Sequence, residues 1–135
     1  MESVADLNFG RLVTNGNAGT VFLDPNDASR TASAGITLAG GTPSAGRFIG
    51  VGDPRRFVII FRGTLPVLTR VGGDETLTIN ALYPDASWGR IGNLTFKRIP
   101  DDGIVALDVG AELEIPENAT PGIYQGEYEV IINYL

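Results

Sequence analysis

From Ile104 to Ile115 the chain alternates for twelve positions, with Val105, Leu107, Val109, Ala111, Leu113 and Ile115 in one set and Asp108, Glu112 and Glu114 in the other. Successive side chains of a β-strand point to opposite faces, whereas a helix would scatter this pattern around its surface. The segment is therefore expected as a half-buried strand, and a strand of that length needs a second apolar layer to cover it.

The last fourteen residues, GIYQGEYEVIINYL, carry the same period. Tyr124, Gly126, Tyr128, Val130, Ile132 and Tyr134 share one phase, and Gln125, Glu127, Glu129 and Asn133 the other, with Ile123, Ile131 and Leu135 as apolar exceptions. This predicts one long half-buried strand over 122–135. Elsewhere, short apolar runs are separated by Gly, Pro, Asn and Asp, which punctuate β-rich folds. Candidate strands start near Ala5, at Ala18–Asp24, Ser29–Ala39 and Ala45–Val51. The run Phe57–Phe61 is apolar throughout and is expected to be a central strand covered on both faces. Glu75–Leu82 alternates with Leu77, Ile79 and Ala81 inward, and Ile91–Ile99 is a further strand. No window holds a 3.6-residue apolar period. The pattern predicts a single all-β domain over residues 1–135, a sandwich or barrel of about eight or nine strands.

Function classes narrow by subtraction. The chain has no histidine and no cysteine, which removes the commonest general base, metal ligand and thiol nucleophile. Carboxylates pair only locally, at Asp24/Asp27, Asp101/Asp102 and Glu112/Glu114, rather than across a cleft as a glycosidase requires. No catalytic, cofactor-binding or metal site is expected, and the chain does not read as an enzyme. The net charge of −6 disfavours nucleic acid, and the Arg55, Arg56 and Arg62 group reads as a solvated strand end. No run approaches the roughly 18 apolar residues of a membrane helix, so no membrane insertion is expected. MESVADLNFG has neither a charged n-region nor an apolar h-region, so no signal peptide is expected within this chain. Asn93-Leu94-Thr95 and Asn118-Ala119-Thr120 match the short glycosylation sequon. In the loop Tyr83–Arg90, Tyr83 and the single tryptophan, Trp88, form a candidate ligand loop; a tryptophan so placed either stacks on a sugar or caps the core.

The spacing of the C-terminal stretch, with Gly122 fourteenth from the end and Tyr134 penultimate, resembles the C-terminal signature of bacterial chaperone–usher pilin subunits. Leu7-Asn8-Phe9-Gly10, Gly19-Thr20-Val21, Val109–Leu113 and Pro121–Gly126 extend the likeness to a related family of exported, fimbrial-type β-sandwich domains. The resemblance implies an immunoglobulin-like sandwich lacking its final strand, completed by an extended segment from a neighbouring subunit or a periplasmic chaperone. It implies a secreted structural protein of a fimbria or pilus, at the cell surface and active in adhesion, whose partners are copies of itself or other fibre subunits. The partner-strand groove it implies comprises Gly122, Tyr124, Tyr128, Val130, Ile132 and Tyr134, with Leu7 and Phe9 on the opposite wall. Such subunits carry an extended donor segment ahead of the first strand; here Met1–Val4 precede Ala5. The residues alone leave a second reading open, a self-complete β-sandwich adhesin or carbohydrate-binding module using Tyr83 and Trp88.

Overall fold

A computed structural model describes residues 2–62, 65–92 and 94–135, with the side chain of residue 62 outside the description. Asn93 of the first sequon, and part of the break expected at Gly63–Pro66, lie outside the described residues. In chain order the strands are β1 (Glu2–Ala5), β2 (Leu12–Thr14), β3 (Gly19–Leu23), β4 (Arg30–Ala32), β5 (Ile36–Leu38), β6 (Gly46–Val51) and β7 (Phe57–Arg62). They continue with β8 (Val67–Arg70), β9 (Thr76–Pro84), β10 (Gly89–Ile91), β11 (Leu94–Arg98), β12 (Ile104–Ile115), β13 (Tyr124–Gln125) and β14 (Val130–Tyr134). Fourteen strands among the described residues exceed the eight or nine expected: three expected strands are split, β8 lies where none was expected, and β10 forms mostly within the expected Tyr83–Arg90 loop. The first divides at Gly10, whose φ of +73° and contact with the Gly40 carbonyl suit glycine. The Ser29–Ala39 segment turns at 33–35 into β4 and β5.

The fold is an all-β sandwich. One sheet runs β1-β6-β12-β9-β8-β13, with β3 pairing β12 and β4 pairing β3; the other runs β10-β11-β7-β14; β2 and β5 form a small third sheet. All pairings are antiparallel. The order β1-β6-β12-β9 is that of strands A-B-E-D of an immunoglobulin-like sandwich, and β7-β14 that of C-F.

β12 organises the molecule: it is flanked by β6 and β3 on one side and by β9 on the other. All six of its expected inward residues are buried, Val105, Leu107, Val109, Ala111, Leu113 and Ile115. At Gly110 a Cβ would meet Pro25 Cδ at 2.7 Å, so only hydrogen fits where the chain leaves β3.

Two expectations are corrected. In β9, Leu77, Ile79 and Leu82 are buried, and Ala81 is only half-buried. The ladder with β12 steps from Ala81↔Glu112 to Ile79↔Leu113, so Asn80 is bulged and the inward phase changes. In β7, Val58 and Ile59 are buried but Phe57 and Phe61 are 43% and 45% exposed. The strand lies centrally between β11 and β14; its outer face is covered at Ile59 and open at Phe57 and Phe61.

Candidate functional site

The C-terminal segment does not form one strand. β13 pairs with β8 at an edge of the larger sheet, through Tyr124↔Arg70 and Gln125↔Thr69. β14 pairs with β7 in the other sheet, from Val130↔Arg62 to Tyr134↔Val58. The chain changes sheet between them, at Gly126, where a Cβ would stand 2.6 Å from the Val67 carbonyl. Strands that switch sheets make the corners of such sandwiches.

This break divides the expected groove residues. Gly122 and Tyr124 belong to the β13 side: Gly122 lies under the Arg70 side chain, and the Tyr124 hydroxyl donates to the Thr120 carbonyl at 2.6 Å. Arg70 is held by Glu75 through a 2.6 Å hydrogen bond, which keeps the Glu75 carboxyl below its ordinary range. Tyr128, Val130, Ile132 and Tyr134 stay together on the inner face of the β14 side. Tyr128, Val130 and Ile132 are half-buried against the common core.

Leu7 and Phe9 are half-buried against the same core. They follow β1 and are fixed by two hydrogen bonds between Asn8 and Ser44, at 2.8 and 2.9 Å. Gly46 brings the two expected walls together. The Tyr128 hydroxyl occupies the space a Cβ at Gly46 would take, and Leu7 Cβ lies 3.5 Å from that position. The Tyr128 ring stands edge-on to Phe48, centroids 5.7 Å apart. Burial, and to a lesser degree the charge of Asp6, push the Tyr128 phenol up to about 12.

Tyr134 does a different job. Its hydroxyl accepts the Asp53 N–H at 3.0 Å, and the Arg56 guanidinium lies 3.9 Å from its ring centroid. It ties the end of β14 to the β6–β7 loop. Nearby, Arg55 and Arg56 form exposed ion pairs with Asp101 and Asp53, at 3.3 and 3.4 Å.

The edge of β14 is the distinctive feature. The Leu135 N–H donates to the Phe57 carbonyl at 2.9 Å. Opposed residues of an antiparallel pair alternate between bonded and non-bonded positions, so Ile131 and Asn133 also bond toward β7. The backbone groups of Val130, Ile132 and Tyr134 therefore point the other way. Among the described residues no strand pairs with β14 on that side. In immunoglobulin-like topology this is the place of strand G, beside F.

Two open clefts flank β14. A cleft of about 220 Å³ lies between β6 and β14, bounded by Gly50–Gly52 and Ile132–Tyr134 and floored by Val58, Ile99 and Val105. A second cleft of about 320 Å³ lies farther up, with Ile60, Leu82, Leu107 and Val130 along it and the charged Arg90 and Glu129 also in its lining.

The aromatic loop is arranged otherwise. Tyr83 packs edge-on to Phe22, centroids 5.4 Å apart. Trp88 is 5% exposed, and its Nε1–H donates to the Ala106 carbonyl at 3.1 Å. Its ring caps the core and presents no stacking platform. Among the described residues no three carboxylates converge as a metal site, and no helix is long and apolar enough to cross a membrane.

A family model described as "Domain of unknown function (DUF4402)" matches residues 1–134. No curated protein and no solved structure matches the chain.

Proposed function

The chain belongs to the DUF4402 family, and we propose that it is a structural subunit of a bacterial surface fibre, assembling when an extended segment of a neighbouring subunit pairs with β14. The observation that carries this reading is the unpaired edge at Val130, Ile132 and Tyr134, standing where an immunoglobulin-like sandwich has its G strand. Exposed strand edges template pairing with another chain. In strand addition the backbone ladder supplies affinity and alternate side chains enter pockets. Alternate side chains of an incoming strand would face the two clefts beside β14, of about 220 and 320 Å³. Assembly at a bacterial surface places the working protein outside the cell, reached through the periplasm, where a chaperone would occupy the same edge before assembly. The carbohydrate-binding alternative draws no support from Trp88, whose ring is committed to the core.

A peptide of about ten residues that alternates Val or Ile with Thr or Asn is the direct probe. At 100-fold excess over its Kd, a ligand of the folded state alone adds about 2.7 kcal/mol of stability. For a domain of this size that raises Tm by roughly 8–10 °C. A peptide of the same composition with the alternation scrambled leaves Tm unchanged. Equal effects of the two peptides, or none from either, would contradict the proposal.

A further inference from the structure

The outer face of the sheet β10-β11-β7-β14 is apolar where an outer face is ordinarily polar. Residues directly opposed in a ladder point the same way, so the face can be read as rows. The first row crosses all four strands. Ile91 opposes Leu94, Phe61 opposes Ile131, and one step on from Thr95↔Ile60 the ladder sets Leu94 beside Phe61. In the second row Gly89 opposes Phe96, Phe96 opposes Ile59, and Ile59 opposes Asn133. The Phe96 ring fills the space over Gly89. In the third row Arg98 opposes Phe57, with Leu135 bonded beside it. The only polar members are Asn133, on the edge strand, and Arg98, at the end of β11.

Ile91, Leu135, Phe61, Phe57 and Ile131 are 70, 69, 45, 43 and 41% exposed. Together they leave roughly 500 Å² of apolar surface, toward the top of the range for the largest patch on a monomer. That is most of the ~800 Å² per partner of a stable complex, whose remainder is normally a polar rim.

We infer that this face is where a second copy of the chain packs, sheet against sheet, in a two-fold pair. The charge distribution selects a like partner. Each chain carries a net −6, yet the three rows hold no acidic residue and one arginine. Two copies meet there with the least repulsion, whereas a strongly charged partner would find nothing to pair with. The contact is separate from strand addition: it uses outward side chains, while the free edge uses backbone groups and inward side chains. Both interfaces involve β14 but use different groups of it, so paired subunits keep their edges free.

Analytical ultracentrifugation of the full chain across micromolar concentrations tests this. The wild type is expected to be a dimer. Phe61→Lys and Ile91→Lys each place an unpaired charge in the contact and weaken dimerisation about 30-fold or more. Ile91, on the far strand from β14, isolates the face from the edge, and far-UV circular dichroism shows that each variant is folded. A wild type that stays monomeric overturns the inference. So does a dimer that both variants preserve, or one dissociated by the alternating peptide, which would place the contact at the β14 edge.

Discussion

Replacing Tyr134 separates two roles of one side chain. The residue is 43% exposed, so a little over half of it is shielded. Truncating a fully buried aromatic to alanine costs about 3–5 kcal/mol, and the shielded share of the ring brings that to about 2 kcal/mol. The hydrogen bond accepted from the Asp53 N–H at 3.0 Å adds about 0.5–1 kcal/mol, because the freed N–H can turn to water. The exposed contact with the Arg56 guanidinium at 3.9 Å adds about 0.5 kcal/mol. Tyr134→Ala should therefore cost about 3 kcal/mol, or a fall in Tm of roughly 10 °C for a chain of this size. Tyr134→Phe keeps the ring and the cation contact and loses only the acceptor, for about 1 kcal/mol and roughly 3 °C. Thermal unfolding followed by far-UV circular dichroism measures both. An alanine variant within about 2 °C of wild type would refute the packing argument. A phenylalanine variant as damaged as the alanine one would refute the division between ring and hydroxyl.

Other perturbations test the surrounding structure. Tyr128, with its phenol raised from 10 to about 12, stays protonated in the fold at pH values where the unfolded chain has begun to ionise. Its contribution is complete below about pH 10 and is lost as pH rises through about 12. Urea unfolding at pH 9 and pH 11.5 should show a steeper loss in wild type than in Tyr128→Phe; parallel losses would mean that Tyr128 is solvated. Gly110→Ala forces a methyl against Pro25 and should lower stability by about 1–3 kcal/mol in the same denaturation assay, and a neutral result would contradict the close approach of β3 to β12. Leu107→Ala, at a residue 1% exposed, should cost about 2–5 kcal/mol; a loss below about 1 kcal/mol would contradict its place at the centre of the core.

The sequence was most legible where one physical rule acts alone. β12 is regular for twelve residues and buried on one face, so its alternation named all six inward residues. β9 misled because the bulge at Asn80 depends on its ladder with β12, which local alternation does not encode. The C-terminal segment misled in another way. Its inward residues keep one phase through Gly126, although the strand breaks there and changes sheet. Both sheets face a common core, so alternation survives a switch from one to the other. Only the glycine, needed under the Val67 carbonyl, marks the corner. The apolar run of β7 was a true signal misassigned: apolar side chains on both faces meant a covered strand by sequence, and the structure leaves Phe57 and Phe61 exposed. For the candidate site, the likeness of the chain's ends brought together Leu7 and Tyr128, which meet at Gly46. It joined Gly122 and Tyr124 to the same groove, whereas the sheet switch sends them to the other sheet. Gly46 itself carries no local pattern that sets it apart from the chain's other glycines.

The proposed strand addition needs a free edge on β14, and amide hydrogen exchange resolved by NMR reads that edge residue by residue. In the free chain the Ile131, Asn133 and Leu135 amides should be protected by β7, and those of Val130, Ile132 and Tyr134 should exchange quickly. On adding the alternating peptide the even-numbered amides should become protected while the odd-numbered ones keep their rates. Uniform protection along β14 in the free chain, or even-numbered amides that stay fast with the peptide bound, would contradict strand addition at β14.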